Sequence, residues 1–242
     1  MKRAYFIVFA LVVVLGLGLT LLSIPSVLAN GRNDDGRSAV YAPSENVLGM
    51  SYGDWSAAWW QYILLFTNDV SPYLDTTGQY CNEGQGGPVF FLVGGPVNPT
   101  IRSCTIPAGK ALFAPIINVE CSSVESPPFE GKNAQEARAC AALWNDGTDV
   151  KHLKFTIDRK MVKELGDFRV QSPYYYFNQL PPDDNFLGVP GATEGYSASD
   201  GYWVMVKPLS PGTHVIHFEG TWTSGPGAGA VQNVTYNLTV TP

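Results

Sequence analysis

The sequence predicts a mainly β protein, an antiparallel β-sandwich of jelly-roll type formed by a single domain with an N-terminal aromatic helix and one short additional helix. Two observations lead to this class. Beyond residue 80, short apolar or alternating runs are separated by Gly- and Pro-rich turns, which is typical of sandwiches. The strands are not regularly separated by helices, which argues against a parallel α/β sheet.

Residues 1–29 are predicted to be a signal peptide. Lys2 and Arg3 precede an apolar run at residues 5–22, and the segment ends at Ala29, a small residue suited to cleavage. The apolar run is long, so an uncleaved membrane anchor is the alternative. Cleavage would leave a protein that is secreted, periplasmic or at the cell surface, and that meets the membrane only transiently through this segment.

The predicted mature chain is acidic. Removing residues 1–29 changes the formal net charge from −6 to −8, because Lys2 and Arg3 leave with the segment. An acidic protein is a poor partner for nucleic acid or anionic lipid. Residues 30–46 are polar and Gly-rich and are predicted to be a flexible leader. Residues 47–242 have a length that suits one β-sandwich domain.

The aromatic helix is predicted at residues 51–66. Ser51 and Asp54 are suitable N-caps because their side-chain oxygens can accept free backbone N–H groups. Helical spacing places five large residues on one face: Trp55, Trp59, Tyr62, Ile63 and Phe66. These residues are expected in the core. Trp60 lies beside that face, and either Trp60 or Tyr62 is a candidate platform for a sugar ligand, with burial as the alternative.

The four cysteines are predicted to form two disulfides, because an even number in an exported chain is typical of a disulfide framework. Of the three connectivities, we favour the sequential one, Cys81–Cys104 and Cys121–Cys140. Each bridge would close a loop of about twenty residues, worth about 3 kcal/mol in the chain-entropy model. A metal site is disfavoured because the sequence has no C-x-x-C pair and no nearby histidine cluster.

The first half of the domain contains two predicted buried strands and the short helix. Residues 88–93 are continuously apolar between glycine turns, and residues 111–119 form the second strand. Pro115 within it predicts an edge position or a bulge. Asn133, followed three residues later by a glutamate, has the form of a capping box and predicts a helix to about residue 143.

The second half is predicted to be almost entirely β. Strands are expected at residues 152–158, 168–170, 174–177, 202–207, 213–219 and 231–240. We expect the fourth and fifth of these to form a hairpin. Residues 178–201 are predicted to be a long irregular stretch, and loops of that length inside a domain are often functional.

Four sequence blocks resemble a family of secreted bacterial proteins that has no assigned activity. The blocks are YGDWSAAWWQY, CNEGQGGPVFFL, PAGKALFAPIINVEC and SDGYWVMVKPLSPGTHVIHFEG, and the resemblance covers most of the mature chain. It implies export and a single domain, and it transfers no site residue.

Candidate catalytic residues are Glu120, Glu219 and His217. His217 and Glu219 are two residues apart in a predicted strand and share a face, which suits acid–base work, whereas His214 faces the other side. Two carboxylates such as Glu120 and Glu219 could hydrolyse a glycosidic bond at the right separation. The alternative for each is a capping, turn or surface role.

Candidate ligand-binding residues are Trp60, Tyr175, Asp183 and Asp184, because exposed aromatic rings beside polar side chains form ligand surfaces. Asp183, Asp184 and Asn185 could hold calcium, although the loop lacks EF-hand spacing; no other cofactor is expected.

We therefore predict an exported binding or surface-associated protein whose partner is a glycan or a cell-surface molecule. The alternatives are a secreted glycan hydrolase that uses paired carboxylates and a purely structural matrix component. The assignment of all four cysteines to disulfides leaves no cysteine nucleophile, which favours binding over catalysis.

Overall fold

The structure is a computed structural model, and it describes residues 37–242. The predicted signal peptide and residues 30–36 of the predicted leader lie outside the described residues. The helices are α1 (Tyr52–Ile63) and α2 (Ala134–Asn145). The strands are β1 (Val89–Phe91), β2 (Thr100–Pro107), β3 (Ala111–Ser122), β4 (Lys154–Ile157), β5 (Lys160–Met161), β6 (Arg169–Gln171), β7 (Tyr175–Phe177), β8 (Gly195–Val206), β9 (Gly212–Thr221) and β10 (Val231–Thr241).

The strands form two five-stranded sheets, which confirms the predicted mainly β class. In the first sheet β1 pairs with β3 and β3 with β8, and both β6 and β7 pair with the far side of β8. The second sheet has the order β2-β10-β9-β4-β5. Two pairs, β1 with β3 and β2 with β10, are parallel, so both sheets are mixed. One hydrophobic cluster includes residues of both sheets and of α1.

Helix α1 begins where the sequence predicts. The Ser51 hydroxyl accepts the Asp54 N–H at 3.1 Å, and the Asp54 carboxylate accepts the Ser51 N–H at 3.0 Å, which completes a capping box. The helix is anchored to the first sheet by Trp59. Its indole N–H donates to the Leu92 carbonyl at 2.8 Å, and its ring meets Trp203 edge to face at 5.3 Å.

The predicted irregularity at Pro115 is a β-bulge. The β3–β8 register shifts between Pro115 and Ile117, because a proline in a paired strand has no N–H for the ladder. The Gln232 side-chain amide, from the second sheet, donates to the carbonyls of Pro115 and Ile116 at 2.9 and 2.8 Å. The bulge therefore becomes a point where the two sheets are joined.

Strand β8 is longer than predicted, and the irregular stretch is correspondingly shorter. We expected residues 178–201 to be irregular, but β8 begins at Gly195. Residues 195–201 are small or polar and carry no strong strand signal. Small residues are required there because the strand packs closely: a Cβ added at Gly201 would lie 2.4 Å from the Cβ of Asn118.

The predicted hairpin between residues 202–207 and 213–219 is wrong. These segments belong to β8 and β9, which lie in different sheets. One side of β8 is occupied by β3 and the other by β6 and β7, so no free side remains for β9. The chain between β8 and β9 instead crosses from one sheet to the other.

The described part of the predicted leader, residues 37–46, is attached to the domain. Val40 is buried and forms an isolated bridge with Val206. The Tyr41 N–H donates to the Met205 carbonyl at 2.9 Å, and the Tyr41 carbonyl accepts the Tyr52 hydroxyl at 2.7 Å. The domain thus begins before residue 47. Val40, packed against the core together with Ala39 and Tyr41, provides the anchor.

Two disulfides join Cys81 to Cys104 and Cys121 to Cys140, the sequential pairing predicted from the sequence. The first ties the loop before β1 to β2. The second ties the end of β3 to α2, which otherwise packs on the first sheet through few large apolar side chains.

Replacing Cys121 and Cys140 together by alanine is expected to lower the free energy of unfolding by about 3 kcal/mol, because the loop they close regains its freedom in the unfolded chain. Urea denaturation of the oxidised protein measures the change. A variant with an unchanged midpoint, or native protein in which all four cysteines can be alkylated, would contradict the role given to this bridge.

Candidate functional site

A cavity of about 390 Å³ lies where α1, the end of β3 and α2 approach one another. Its polar lining includes Asn118, Glu120 and Glu125. Six aromatic residues form its walls: Trp60, Tyr73, Phe129, Trp144, Phe186 and Trp222. A second cavity of about 190 Å³ shares five of the lining residues, so the two are parts of one groove. We refer to this groove as the aromatic cleft.

One wall of the aromatic cleft is positioned by α2. Trp144 lies four residues after Cys140, so the disulfide to β3 fixes the helix face that presents it. Its ring stacks on Phe129 with centroids 4.8 Å apart. The Trp222 indole N–H donates to the Asn145 side-chain oxygen at 3.3 Å. This wall is therefore held by a covalent bond, a ring stack and a hydrogen bond.

The opposite wall contains two polar atoms that have no partner. Trp60 meets Phe186 edge to face at 5.6 Å, and Phe186 meets Tyr73 at 5.0 Å. The Trp60 indole N–H and the Asn118 amide oxygen are both buried without a hydrogen-bond partner in the described residues. Unpaired buried polar atoms cost about 1–3 kcal/mol each. Trp60 and Asn118 are both lining residues of the cavity.

The acidic end of the aromatic cleft is a carboxyl pair. Glu120, on β3, is 4% exposed and hydrogen-bonds to Glu125 from the turn that follows. The Ser197 hydroxyl donates to Glu120, and the Ser122 hydroxyl donates to Glu125 at 2.8 Å. Burial raises the pKa of Glu120 well above its ordinary value, and Glu125 raises it further. We infer that the two carboxyls share one proton, which Glu120 donates to Glu125.

The turn after β3 brings Glu125 back onto the strand. The Ser122 N–H donates to the Phe129 carbonyl at 3.0 Å, and the Gly131 N–H donates to the Ser122 carbonyl at 2.8 Å, so the turn is closed at its base. Sequence reasoning missed Glu125. A glutamate five residues after Glu120, followed by two prolines that force the chain to turn, was the available signal.

The other two catalytic candidates lie in the second sheet. The Glu219 carboxylate pairs with the Lys154 ammonium at 3.0 Å, and its nearest approach to His217 is 4.0 Å. His217 also contacts the Asn233 side-chain oxygen at 3.1 Å. Glu120 is thus paired with Glu125, and Glu219 with a lysine. His214 faces the other side of β9 and bonds to Asp158.

The two aromatic ligand-binding candidates occupy different surroundings. Trp60 lines the aromatic cleft, although its side chain is 5% exposed. Tyr175 is buried on β7 opposite Ser197, and burial raises the pKa of its phenol well above the ordinary value. Tyr175 is therefore a neutral, buried neighbour of the carboxyl pair and not a lining residue of the aromatic cleft.

The predicted calcium residues stabilise their own loop. The Asn185 side chain is buried and bonds to both the N–H and the carbonyl of Val189. The Asp184 carboxylate accepts the Asn68 amide at 2.9 Å, and this contact joins two loops. No group of three or more His, Cys, Asp or Glu side chains within residues 37–242 is arranged to hold a metal. Calcium binding at Asp183 to Asn185 stays a prediction.

A G-x-S-x-G pentapeptide at residues 49–53 does not form a hydrolase elbow. Ser51 has an extended backbone, and its hydroxyl is used as the N-cap of α1. The elbow instead requires a serine on a sharp turn between a strand and a helix, with a free hydroxyl.

No helix within residues 37–242 is long and apolar enough to cross a membrane. Comparison with protein-family models, with curated proteins and with solved structures found no match to this chain.

Proposed function

We propose that this chain is an exported, disulfide-stabilised binding protein that takes a carbohydrate in the aromatic cleft. The observation that supports it most is that three tryptophans, Trp60, Trp144 and Trp222, line one cavity together with polar side chains. A sugar ring offers an apolar C–H face to an aromatic ring and hydroxyls to hydrogen-bonding groups.

The dimensions and chemistry of the aromatic cleft agree with this proposal. Its larger part, about 390 Å³, falls within the range of about 300–1,000 Å³ that small-molecule sites have. Asn118, a lining residue, carries a side-chain amide of the kind that hydrogen-bonds to sugar hydroxyls. Glu125 adds a strong acceptor at the acidic end.

Export is the second part of the proposal. Two disulfides persist only where the surroundings are oxidising, which for most organisms means outside the cytoplasm. The predicted signal peptide and the resemblance to secreted bacterial proteins point to the same compartment. A glycan of the cell surface or of the surroundings would then be the partner.

A second candidate function is hydrolysis with Glu120 as the acid. Glycosidases that use two carboxylates hold them about 5–5.5 or 6.5–9.5 Å apart. Glu120 and Glu125 are in direct hydrogen-bond contact, so this pair does not have that spacing. Two carboxyls that share one proton are instead the arrangement with which aspartic proteases activate water. If this protein hydrolyses its ligand, the two carboxyls would therefore activate a water molecule through their shared proton.

Replacing Trp144 by alanine is expected to weaken glycan binding by about 30-fold, or about 2 kcal/mol, because tryptophans in a binding site are common hot spots. Trp144 is only half-buried, so the fold should survive. A glycan panel identifies the ligand, calorimetry measures its affinity, and chromatography of the mixtures reveals any cleavage.

The matched control is Tyr196→Ala, which removes an exposed ring outside the aromatic cleft and should leave the affinity unchanged. Absence of binding across the panel, or equal affinities for both variants, would overturn the proposal. Cleaved products that disappear with Glu120→Gln would instead establish the hydrolase.

A further inference from the structure

We propose that the aromatic cleft selects sugars with a free amino group, and that their ammonium binds between the side chains of Glu120 and Glu125, which both line the cavity. This inference rests on the proposed function, since it names the class of carbohydrate that the same site takes.

The carboxyl pair has no cation of its own. The Ser197 and Ser122 hydroxyls are its side-chain hydrogen-bond donors, one for each carboxyl. No lysine, arginine or histidine within residues 37–242 forms an ion pair with Glu120 or Glu125. A buried carboxylate without a cation is costly. The shared proton is therefore what compensates the second negative charge in the free protein.

The surrounding elements contribute no other charge to the pair. Tyr175 on β7 stays neutral because burial raises the pKa of its phenol. The walls from α1 and α2 present Trp60 and Trp144, which do not titrate. The groups that act on the two carboxyls are thus each other, the two serines and one neutral tyrosine. The site is built to receive positive charge and supplies none.

An ammonium group fits this site better than a hydroxyl. It carries three N–H donors, so it can bond to both carboxylates at once. The aromatic rings around it attract a cation through their negative faces, an interaction that strengthens when water is excluded. The amino sugar arrives as R–NH₃⁺, the Glu120 O–H bond breaks, and the proton leaves to solvent. The bound state is one ammonium between two carboxylates.

A neutral sugar would leave the proton in place. Its hydroxyls can meet Trp60 and Asn118, but they bring no charge to replace the proton on Glu120. Binding of an amino sugar and of its N-acetylated counterpart should therefore differ in the number of protons released as well as in affinity.

The test is calorimetry at about pH 6, where an amino group is still protonated before it binds, in two buffers that differ in ionisation enthalpy. The ligands are a glucosamine tetramer, an N-acetylglucosamine tetramer and a cellulose tetramer. We expect the glucosamine tetramer to bind at least about 10-fold more tightly than the other two and to release about one proton per site. Neither neutral tetramer should release a proton.

Two variants sharpen the result. Glu125→Gln removes one carboxylate and should abolish both the preference and the proton release. Glu164→Gln removes an exposed carboxylate elsewhere and should change neither. If Glu125→Gln does not fold, the number of protons that the wild-type protein releases still shows whether an ammonium binds at the carboxyl pair.

The outcomes separate this inference from the proposed function. Equal affinities for all three tetramers without proton release would overturn the inference and leave carbohydrate binding intact. Binding of none of them, or of any other glycan on the panel, would overturn both.

Discussion

Replacement of Trp59 by alanine is expected to lower the free energy of unfolding by about 3–5 kcal/mol, the usual cost of removing a large aromatic residue from a core. Trp59 is 1% exposed. Its ring lies edge to face against Trp60 at 5.1 Å and against Trp203 at 5.3 Å. Its N–H donates to the Leu92 carbonyl at 2.8 Å. The alanine variant would lose all three contacts and leave a cavity.

Urea denaturation followed by circular dichroism measures this loss. Trp59→Phe keeps a ring but removes the N–H donor, so it should fall between the wild type and the alanine variant. Leu143→Ala, at an exposed position of α2, should change the free energy of unfolding by less than about 0.5 kcal/mol. A Trp59→Ala variant as stable as Leu143→Ala would show that α1 does not anchor the sheet.

Replacement of Glu120 by glutamine is expected to stabilise the protein at alkaline pH and to flatten the dependence of its stability on pH. The pKa of Glu120 is raised in the folded protein by burial and by Glu125. Between the unfolded and folded pKa values the native state binds more protons than the unfolded state. The free energy of unfolding therefore falls as the pH rises through that window, by about 1.4 kcal/mol for each unit of pKa difference.

Other groups titrate as well, so the comparison must be between the variant and the wild type. Burial raises the pKa of Asp200 and Glu125, so their contributions to the free energy of unfolding also fall as the pH rises. Burial favours a lower pKa for His214, but the Asp158 carboxylate raises it, and this stability is also lost as the pH rises. Burial favours a higher pKa for Asp75, but hydrogen bonds from its own loop lower it, so its contribution is lost only in acid. The difference between the two proteins isolates the carboxyl pair.

Melting temperatures of the two proteins between about pH 5 and pH 8 provide the measurement. Each 1.4 kcal/mol corresponds to a shift of about 3–6 °C for a domain of this size. The wild type should melt at a falling temperature as the pH rises, and Glu120→Gln should melt above it at the alkaline end. Parallel curves for the two proteins would mean that Glu120 is ionised in the folded state.

The features that the sequence predicts correctly are local in origin. The start of α1 follows from Ser51 and Asp54, whose side chains cap the helix within one turn. The bulge follows from Pro115, which lacks an N–H. The disulfide pairing follows from short spacings, since cysteines about twenty residues apart meet readily.

The candidate site is predicted only in part. Glu120 and Trp60 are candidates in the sequence, and both line the aromatic cleft. Glu125, Trp144 and Trp222 are not, because nothing in the local sequence indicates which distant segment each will face. The tryptophans come from α2 and from the end of β9, and they meet only once the second disulfide and the sheet pairing have placed those elements.

By itself, the sequence determines the mainly β class, the capped aromatic helix and the cysteine pairs, because each depends on side chains within a turn, a strand or a short loop. Only the tertiary structure decides which strands are neighbours, that two pairs run parallel, and that Glu120 faces Glu125 instead of Glu219. Strand order and direction depend on which strands pair with the two sides of β8. The contact between Glu120 and Glu125 depends on which buried groups that pairing brings together.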